Sequence, residues 1–302
     1  MISLHLVPAD GSPLPACPAG SHIRVRLGAD LVRQYSLCNG PDDHSAYIVA
    51  VKKEEASRGG SAAVHGLRLS DEVRASLPIE AFPVDWSAQH IVLLAGGIGV
   101  TPLISMARHA LRRQHSFSFH YFARSKAEAA FSDALADCSF SGRVTFHYGL
   151  SADDAGARLV DIIGLEPENS HAYICGPRPF MDRARALATE RFGAASTHCE
   201  YFSGANAPLA AVADRPFEIR IGRDGPTFTV PVGRTILQVI QAEGLEVDCS
   251  CLEGVCGMCI TQVLEGEPDH RDEFLSDEAK RSNEVMTVCV SRSKSPLLVL
   301  DL

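Results

Sequence analysis

The spacing of apolar and polar positions divides the chain into three blocks. In the first, short runs such as Ser3–Val7, His22–Leu27, Val32–Leu37, Ala46–Lys52 and Glu72–Leu77 have strand character. An alternating period of two turns one face of each strand inward. The intervening segments are rich in turn formers, as in Asn39-Gly40-Pro41-Asp42 and Gly59-Gly60-Ser61. Many short strands with turn signals between them predict a small barrel or sandwich. The pattern changes at Gln89. His90–Ala95 is a short apolar run ending in glycines, and Thr101–Arg113 has helical spacing. Then come strand-like Phe117–Ala123, helical Ala127–Cys138, strand-like Val144–Leu150 and His171–Cys175, helical Phe180–Phe192 and strand-like Thr197–Phe202. Strands alternating with helices predict a parallel sheet covered on both faces. Ala205–Asp214 is rich in small residues, lacks a period and reads as a linker. The third block opens with a hairpin, Phe217–Ile221 and Phe228–Val230 around Asp224-Gly225, followed by helical Ile236–Glu243 and a cysteine-rich loop.

Composition adds little to this division but excludes several classes. The 302 residues are 46% apolar and 22% charged, as in an ordinary globular chain of two or three domains. No run of about 18 apolar residues is present to span a bilayer. Met1-Ile2-Ser3-Leu4-His5 has neither the basic nor the apolar region of a signal peptide, so a cytoplasmic location is expected. The net charge of −9 is concentrated: residues 210–302 carry 16 acidic and 9 basic side chains. An acidic balance argues against a nucleic-acid partner. It suits either a basic protein partner for the last third or simply a solvated acidic face.

Cysteine spacing carries the chemistry. Of ten cysteines, six (Cys17, Cys38, Cys138, Cys175, Cys199 and Cys249) stand singly or beside the cysteine loop and read mostly as small buried hydrophobes. The other four follow a pattern. Cys251, Cys256 and Cys259 form C-x4-C-x2-C, and Cys289 lies 30 residues beyond Cys259. This is the plant-type [2Fe–2S] spacing. Four thiolates must close around two irons and two sulfides, so the loop has to wrap tightly with its amides toward sulfur. Gly254 and Gly257 supply the backbone freedom for that. A four-cysteine zinc site is the competing reading, but zinc favours a second C-x2-C pair and Cys289 stands alone. Using Cys249 in place of Cys251 would stretch the first spacing to six.

A second signal follows the first strand of the middle block. Ile91–Ala95 runs into Gly96-Gly97-Ile98-Gly99-Val100-Thr101-Pro102, with Thr101 suited to the N-cap and Pro102 to the first helical position. A glycine turn feeding a helix N-terminus makes an anion site suited to a pyrophosphate. It lacks the third glycine of G-x-G-x-x-G, and Arg124-Ser125 stand where an acidic residue would follow the next strand. Cys175-Gly176-Pro177, after another apolar strand, gives a second glycine turn at the same sheet edge. In the first block, Arg33-Gln34-Tyr35-Ser36 places an arginine and a hydroxyl beside an aromatic ring. That set suits a flavin phosphate, ring face and reacting nitrogen, and fits equally a strand with one exposed arginine. Ala50-Val51-Lys52 follows, and Arg58-Gly59-Gly60-Ser61 is a nest-like turn suited to phosphate.

Together these motifs, with Glu200-Tyr201-Phe202, resemble the phthalate dioxygenase reductase and vanillate O-demethylase reductase family, within the wider ferredoxin–NADP reductase superfamily. The resemblance spans essentially the whole chain. It implies an antiparallel β-barrel flavin domain over residues 1–87, an α/β nucleotide domain over 88–204, a linker over 205–214 and a β-grasp ferredoxin domain over 215–302. It implies FMN, with Arg33, Gln34 and the Gly59-Gly60-Ser61 turn toward the phosphate. Tyr35, Ser36, Ala50, Val51 and Lys52 would lie by the flavin, with Phe202 against the ring. Gly96, Gly97, Gly99, Thr101, Pro102, Arg124, Cys175, Gly176 and Pro177 would receive the nucleotide, NADH, with NADPH admitted by Arg124. Ser36, Thr101, Cys175 and Phe202 would surround the hydride transfer. The implied partner is a Rieske-type terminal oxygenase, with no membrane and no nucleic acid. Arg33 comes early, so the first block is short of most of a first strand that relatives carry.

Overall fold

In a computed structural model, residues 1–28, 31–55, 59–140, 142–202 and 215–302 are described. The expected linker 205–214 and Arg58 lie outside them. The chain forms two compact units, Met1–Glu200 and Tyr201–Leu302.

The first unit begins with two small antiparallel sheets. Strand β1 (Ile2–Leu6) pairs with β4 (Tyr47–Val51), and β2 (Ser21–Arg26) pairs with β3 (Val32–Ser36). Strand β2 also pairs with the two-residue strands β5 (Arg74–Ala75) and β6 (Ile79–Glu80). The expected strand 72–77 is thus reduced to two exposed residues. Ile23, Val25, Leu37, Tyr47 and Val49 form the buried core here, because alternate positions of β2 and β4 face inward. Helix α1 (Gly60–Gly66) follows the Gly59 turn.

The parallel sheet comes next. Its strands are β7 (His90–Gly96), β8 (Phe117–Ala123), β9 (Val144–Tyr148), β10 (Ser170–Cys175) and β11 (Thr197–Glu200), in the order β11-β10-β7-β8-β9. Between them lie α2 (Val100–Arg113), the four-residue α3 (Ser132–Leu135), α4 (Ala152–Leu165) and α5 (Arg178–Phe192). Central strand β7 is buried at every position from Ile91 to Gly96, as a strand covered on both faces must be. The expected helix 127–138 is broken. Phe131 adopts a left-handed backbone (φ 58°), and only α3 and two 3-10 turns form around it. Helix α4 was absent from the sequence-based elements. Its marks were present: Ser151 caps it through the Asp154 amide, Asp153 and Asp154 sit in the first turn, and Leu159, Ile162 and Ile163 make a buried stripe.

Polar bonds tie the two halves of this unit together. The Ser105 hydroxyl donates to the Asn39 carbonyl at 2.8 Å, and Arg108 donates to the Cys38 carbonyl at 2.6 Å. Buried Asn39 in turn donates to the Ala46 carbonyl and accepts from the Ile48 amide, which fixes the turn after β3. The Asp85 amide donates to the Tyr173 hydroxyl at 2.7 Å. The first block is therefore fastened to α2 and β10.

The second unit has its own sheet, in the order β13-β12-β18-β14-β16. These strands are β12 (Phe217–Ile221), β13 (Thr227–Val230), β14 (Ile260–Glu265), β16 (Val285–Thr287) and β18 (Leu297–Asp301), with the short pair β15 (Pro268–Asp269) and β17 (Arg292–Ser293) beside them. The hairpin of β12 and β13 forms as expected. Helix α6 (Ile236–Ala242) starts with a reciprocal Thr235–Gln238 capping box, and α7 (Asp277–Ser282) is capped by Ser276. Phe217, Ile219, Ile236, Ile240, Met286, Leu298 and Leu300 fill the core, and Cys259 and Cys289 belong to it. Buried Arg292 donates to the carbonyls of Arg234, Arg215 and Pro231 while its guanidinium covers the Phe217 ring. No helix among the described residues is long and apolar enough to cross a membrane.

Candidate functional site

Two glycine turns meet at one edge of the parallel sheet. A Cβ on Gly99 would stand 2.2 Å from the Cys175 carbonyl oxygen, and one on Gly176 would stand 2.9 Å from the Gly96 Cα. One on Gly96 would meet Pro177 at 2.8 Å. These three glycines let the turns pack in contact. Gly97 differs: its backbone is left-handed (φ 54°) and a Cβ there would meet nothing within 4 Å. The backbone at Gly97 thus fronts open space, at the carboxyl ends of β7 and β10 where ligands of such sheets bind. The fit to a dinucleotide rests on this cradle.

The helix does not start as expected. A 3-10 turn, Gly97–Gly99, runs directly into α2 with Gly99 at the N-cap and no side-chain cap. Thr101 lies inside the helix, 2% exposed, and its hydroxyl donates to the Ile98 carbonyl. Pro102 is buried with it. Thr101 thus braces the turn, and its hydroxyl is already engaged. Cys175 is also sealed, at 1% exposure, and burial with Glu200 and Cys199 nearby pushes its thiol well above the usual range. Arg124 is exposed at the end of β8, while the Ser125 side chain accepts from the Glu128 amide and caps the following 3-10 turn.

On the first-block side, the Arg33 stem packs on the Gly59 turn. A Cβ on Gly60 would stand 2.7 Å from Arg33 Cγ. The guanidinium donates to the Val32 carbonyl at 2.8 Å. Ser61 accepts from the Glu54 amide. Gln34 and Tyr35 are half-buried on β3, and burial pushes the Tyr35 phenol up to about 12. Ala50 and Val51 are buried, whereas Lys52 is exposed and paired with Glu54 at 3.2 Å. Ser36, 8% exposed, donates to Glu200 Oε2 at 3.3 Å. Burial raises Glu200 to about 7, with the Ser36 hydrogen bond opposing. In the sequence Glu200 stands out only as the first residue of Glu200-Tyr201-Phe202. Only the fold, which carries β11 back to β3 across 164 positions, brings it to Ser36. Phe202 is 42% exposed.

In the second unit the four thiols converge. Cys251 is within hydrogen-bonding reach of Cys256 and Cys289, and Cys289 of Cys259. The amides of Glu253 and Val255 turn to Cys251 and that of Met258 to Cys256. Hydrogen bonds from neighbouring thiols hold Cys251 and Cys259 low, and sharing with them pushes Cys256 and Cys289 up. Gly254 and Gly257 take φ near 70°, with Asp272 and Phe274 packed where a Cβ would project. No three His, Cys, Asp or Glu side chains among the described residues surround a point as one metal ion requires. The four thiols link in series, Cys256 to Cys251 to Cys289 to Cys259, with loop amides turned to sulfur, and this donor set fits a two-iron cluster held by four thiolates. Cys249 is half-buried against the core and accepts from Gln241 at 3.6 Å.

Comparison with known proteins agrees with both halves of this picture. Residues 93–186 match the oxidoreductase NAD-binding domain family, and residues 219–294 match the 2Fe-2S iron-sulfur cluster binding domain family. The vanillate O-demethylase oxidoreductase of Pseudomonas sp. (strain HR199 / DSM 7063) is 44% identical, over 100% of this chain and 95% of the relative. The chain belongs to the vanillate O-demethylase reductase and phthalate dioxygenase reductase family. The phthalate dioxygenase reductase of Burkholderia cepacia is 37% identical, over 99% of this chain and 92% of that one. A solved phthalate dioxygenase reductase, described as a modular structure for electron transfer from pyridine nucleotides to [2Fe-2S], superposes with a TM-score of 0.72 at 35% identity. It is matched over 99% of this chain and 92% of its own. An intact type IV self-sufficient cytochrome P450 monooxygenase contains a similar stretch: TM-score 0.86, 33% identity, 99% of this chain but 39% of that one. The chain is accordingly an oxidoreductase of the NAD(P)H-dependent, iron–sulfur kind.

Proposed function

We propose that this chain is the reductase component of a Rieske-type oxygenase or O-demethylase system, carrying electrons from NADH through FMN and a [2Fe–2S] cluster to the terminal oxygenase. The observation that carries the reading is the joint presence of the paired glycine turns in one unit and the four-thiol loop in the other. Residues 1–87 act as a β-barrel flavin domain, 88–204 as the nucleotide domain, and 215–302 as a β-grasp ferredoxin domain joined through 205–214. FMN, when bound, accepts a hydride and releases its electrons singly; the protein supplies position and electrostatics. Arg33, with Gln34, Gly59, Gly60 and Ser61, holds the phosphate. Tyr35, Ala50, Val51 and Lys52 would border the flavin, and Phe202 would lie against the ring.

Ser36 positions the reacting edge of the flavin and passes its hydroxyl hydrogen bond to Glu200. The Gly96–Gly99 and Cys175–Pro177 turns receive the pyrophosphate and nicotinamide ends of the nucleotide. Arg124 reaches the adenosine ribose and suits a 2′-phosphate there, so NADPH is an alternative to NADH. Cys251, Cys256, Cys259 and Cys289 hold the cluster. Anaerobic titration with NADH and NADPH, following flavin and iron–sulfur bands separately, tests the reading. Both bands bleach with NADH if it holds, and an iron-free, colourless protein contradicts it.

A second acceptor class has support from one finding, the similar module inside self-sufficient cytochrome P450 chains. Stopped-flow mixing of the reduced protein with a Rieske oxygenase and with a P450 separates the two. Faster oxidation by the P450 would favour the second.

A further inference from the structure

A carboxylate stands sealed beside the cysteine loop. The Asp272 side chain is 0% exposed. Its Oδ2 accepts from the amides of Phe274 and Leu275 at 3.2 and 2.7 Å, which draws the chain into a tight turn. Oδ1 has no hydrogen-bond partner, and His270 Nδ1 stands 3.9 Å from it. From α7, Lys280 donates to the Asp272 carbonyl at 2.6 Å, and its Nζ lies 3.9 Å from Oδ2. A buried carboxylate with one oxygen unsatisfied costs stability, so its presence calls for a reason.

The turn presses on the loop at one glycine. A Cβ on Gly254 would stand 3.0 Å from Asp272 Cα, 3.1 Å from Asp272 Cβ and 2.6 Å from Val290 Cγ2. Inside the turn, the Glu273 amide donates to the Gly254 carbonyl at 3.0 Å. The Arg271 amide donates to the Ser291 hydroxyl at 3.2 Å, which fixes the same segment close to Cys289 in the chain. The Gly254 carbonyl and the Val255 N–H belong to one planar trans peptide and point in opposite directions. That Val255 amide is one of two turned to Cys251; the other, from Glu253, donates to Sγ at 3.4 Å. Holding the carbonyl on one side therefore aims the N–H at sulfur on the other, and polarises it as a donor.

We propose that Asp272 is a positioning residue that sets the reduction potential of the cluster: by shaping the turn that brings the Glu273 amide to Gly254, it locks the Val255 N–H onto the Cys251 sulfur. The role rests on the cluster reading of the four thiols. An N–H bonded to a ligating sulfur stabilises the more negative, reduced state, and the potentials of such clusters follow these bonds. The carboxylate acts through the peptide. Its own negative charge works in the opposite direction, and Lys280 offsets that charge.

The test is the midpoint potential of the cluster in the full-length holoprotein, read by electron paramagnetic resonance, for Asp272→Ala and Asp272→Asn. Alanine removes the acceptor that makes the turn. Its potential should fall by the equivalent of about a tenfold loss of reduced over oxidised cluster, about 59 mV for one electron. Asparagine keeps an oxygen for the Phe274 and Leu275 amides and drops the charge, so its potential should stay with the wild type. The coupling of an amide proton to the reduced cluster, seen in the same spectra, should weaken in Asp272→Ala and persist in Asp272→Asn. An unchanged potential in Asp272→Ala overturns the proposal, as does a shift of the same size and sign in both variants. If Asp272→Ala holds no iron, Asp272→Asn decides. Iron with a wild-type potential then upholds the positioning role, and a shifted potential or lost iron overturns it. Absence of iron in the wild type would instead remove the cluster reading, and is seen before any potential is measured.

Discussion

The glycine turns proposed to receive the nucleotide in the first unit and the cysteine loop proposed to hold the cluster in the second are built by opposite means. The loop is built from side chains of one kind at fixed spacing, because iron accepts thiolate and little else there. The nucleotide edge is built largely from missing side chains. Gly96, Gly99 and Gly176 matter because any Cβ would strike a neighbouring backbone or ring, and Gly97 because of its left-handed φ. A site made of ligands is written locally in the sequence, whereas a site made of close approach becomes definite only when two distant turns are seen in contact.

This contrast can be broken by substitution. The largest effect is expected for Cys256→Ser or Cys289→Ser. Either should abolish iron and acid-labile sulfide, while the first unit, with its own cores, still binds nucleotide and flavin. Metal analysis with flavin absorbance reads both. Gly99→Ala should come next, since its methyl would meet the Cys175 carbonyl at 2.2 Å. A backbone shift of that kind costs about 1–3 kcal/mol in stability and should weaken NADH binding about tenfold or more. Gly97→Ala, which meets open space, should cost only the strain of its φ, about 1 kcal/mol. Denaturant melts and nucleotide titrations separate the pair. If Gly99→Ala proves the milder of the two, the two turns do not pack as described.

A third prediction concerns pH. Burial works to raise Glu166, but hydrogen bonds from His120, His90 and Ser118 prevail and hold it at about 2, below its ordinary 4.5. A depressed carboxylate contributes stability above its unfolded pKa and loses it as pH falls through the folded one. Glu166→Gln should therefore cost about 2 kcal/mol near neutrality. The deficit should shrink as pH drops from 4.5 toward 2, visible in urea melts across that range. The smallest and most local effect is expected at Glu200. Raised to about 7, it holds its proton below that pH and is ionised above it. Glu200→Gln should remove an inflection near pH 7 from the hydride-transfer rate measured by stopped flow, with little change in NADH affinity.

Legibility followed the same divide. Strands Phe117–Ala123 and Phe217–Ile221 and the thiol spacing were plain, because periodicity and ligand chemistry are local. Helix 152–165 was missed although Ser151, the first-turn aspartates and the Leu159–Ile163 stripe announced it. The helix expected over 127–138 failed at Phe131, whose left-handed backbone (φ 58°) is one that a non-glycine residue rarely adopts and that no local pattern announces. Thr101 looked like a cap because Thr and Pro suit that position, but the 3-10 turn 97–99 runs straight into the helix and puts the N-cap at Gly99, two residues earlier. The Ser36–Glu200 bond had no local mark at all. It joins β3 of one sheet to β11 of another, residues 164 apart in the chain.

The most direct test of the account is anaerobic reduction of the holoprotein by NADH with electron paramagnetic resonance detection. The account predicts the signal of a reduced two-iron cluster alongside flavin bleaching, and its loss in Cys256→Ser with flavin reduction retained. An iron-replete protein whose flavin bleaches with NADH while no cluster signal develops would contradict it.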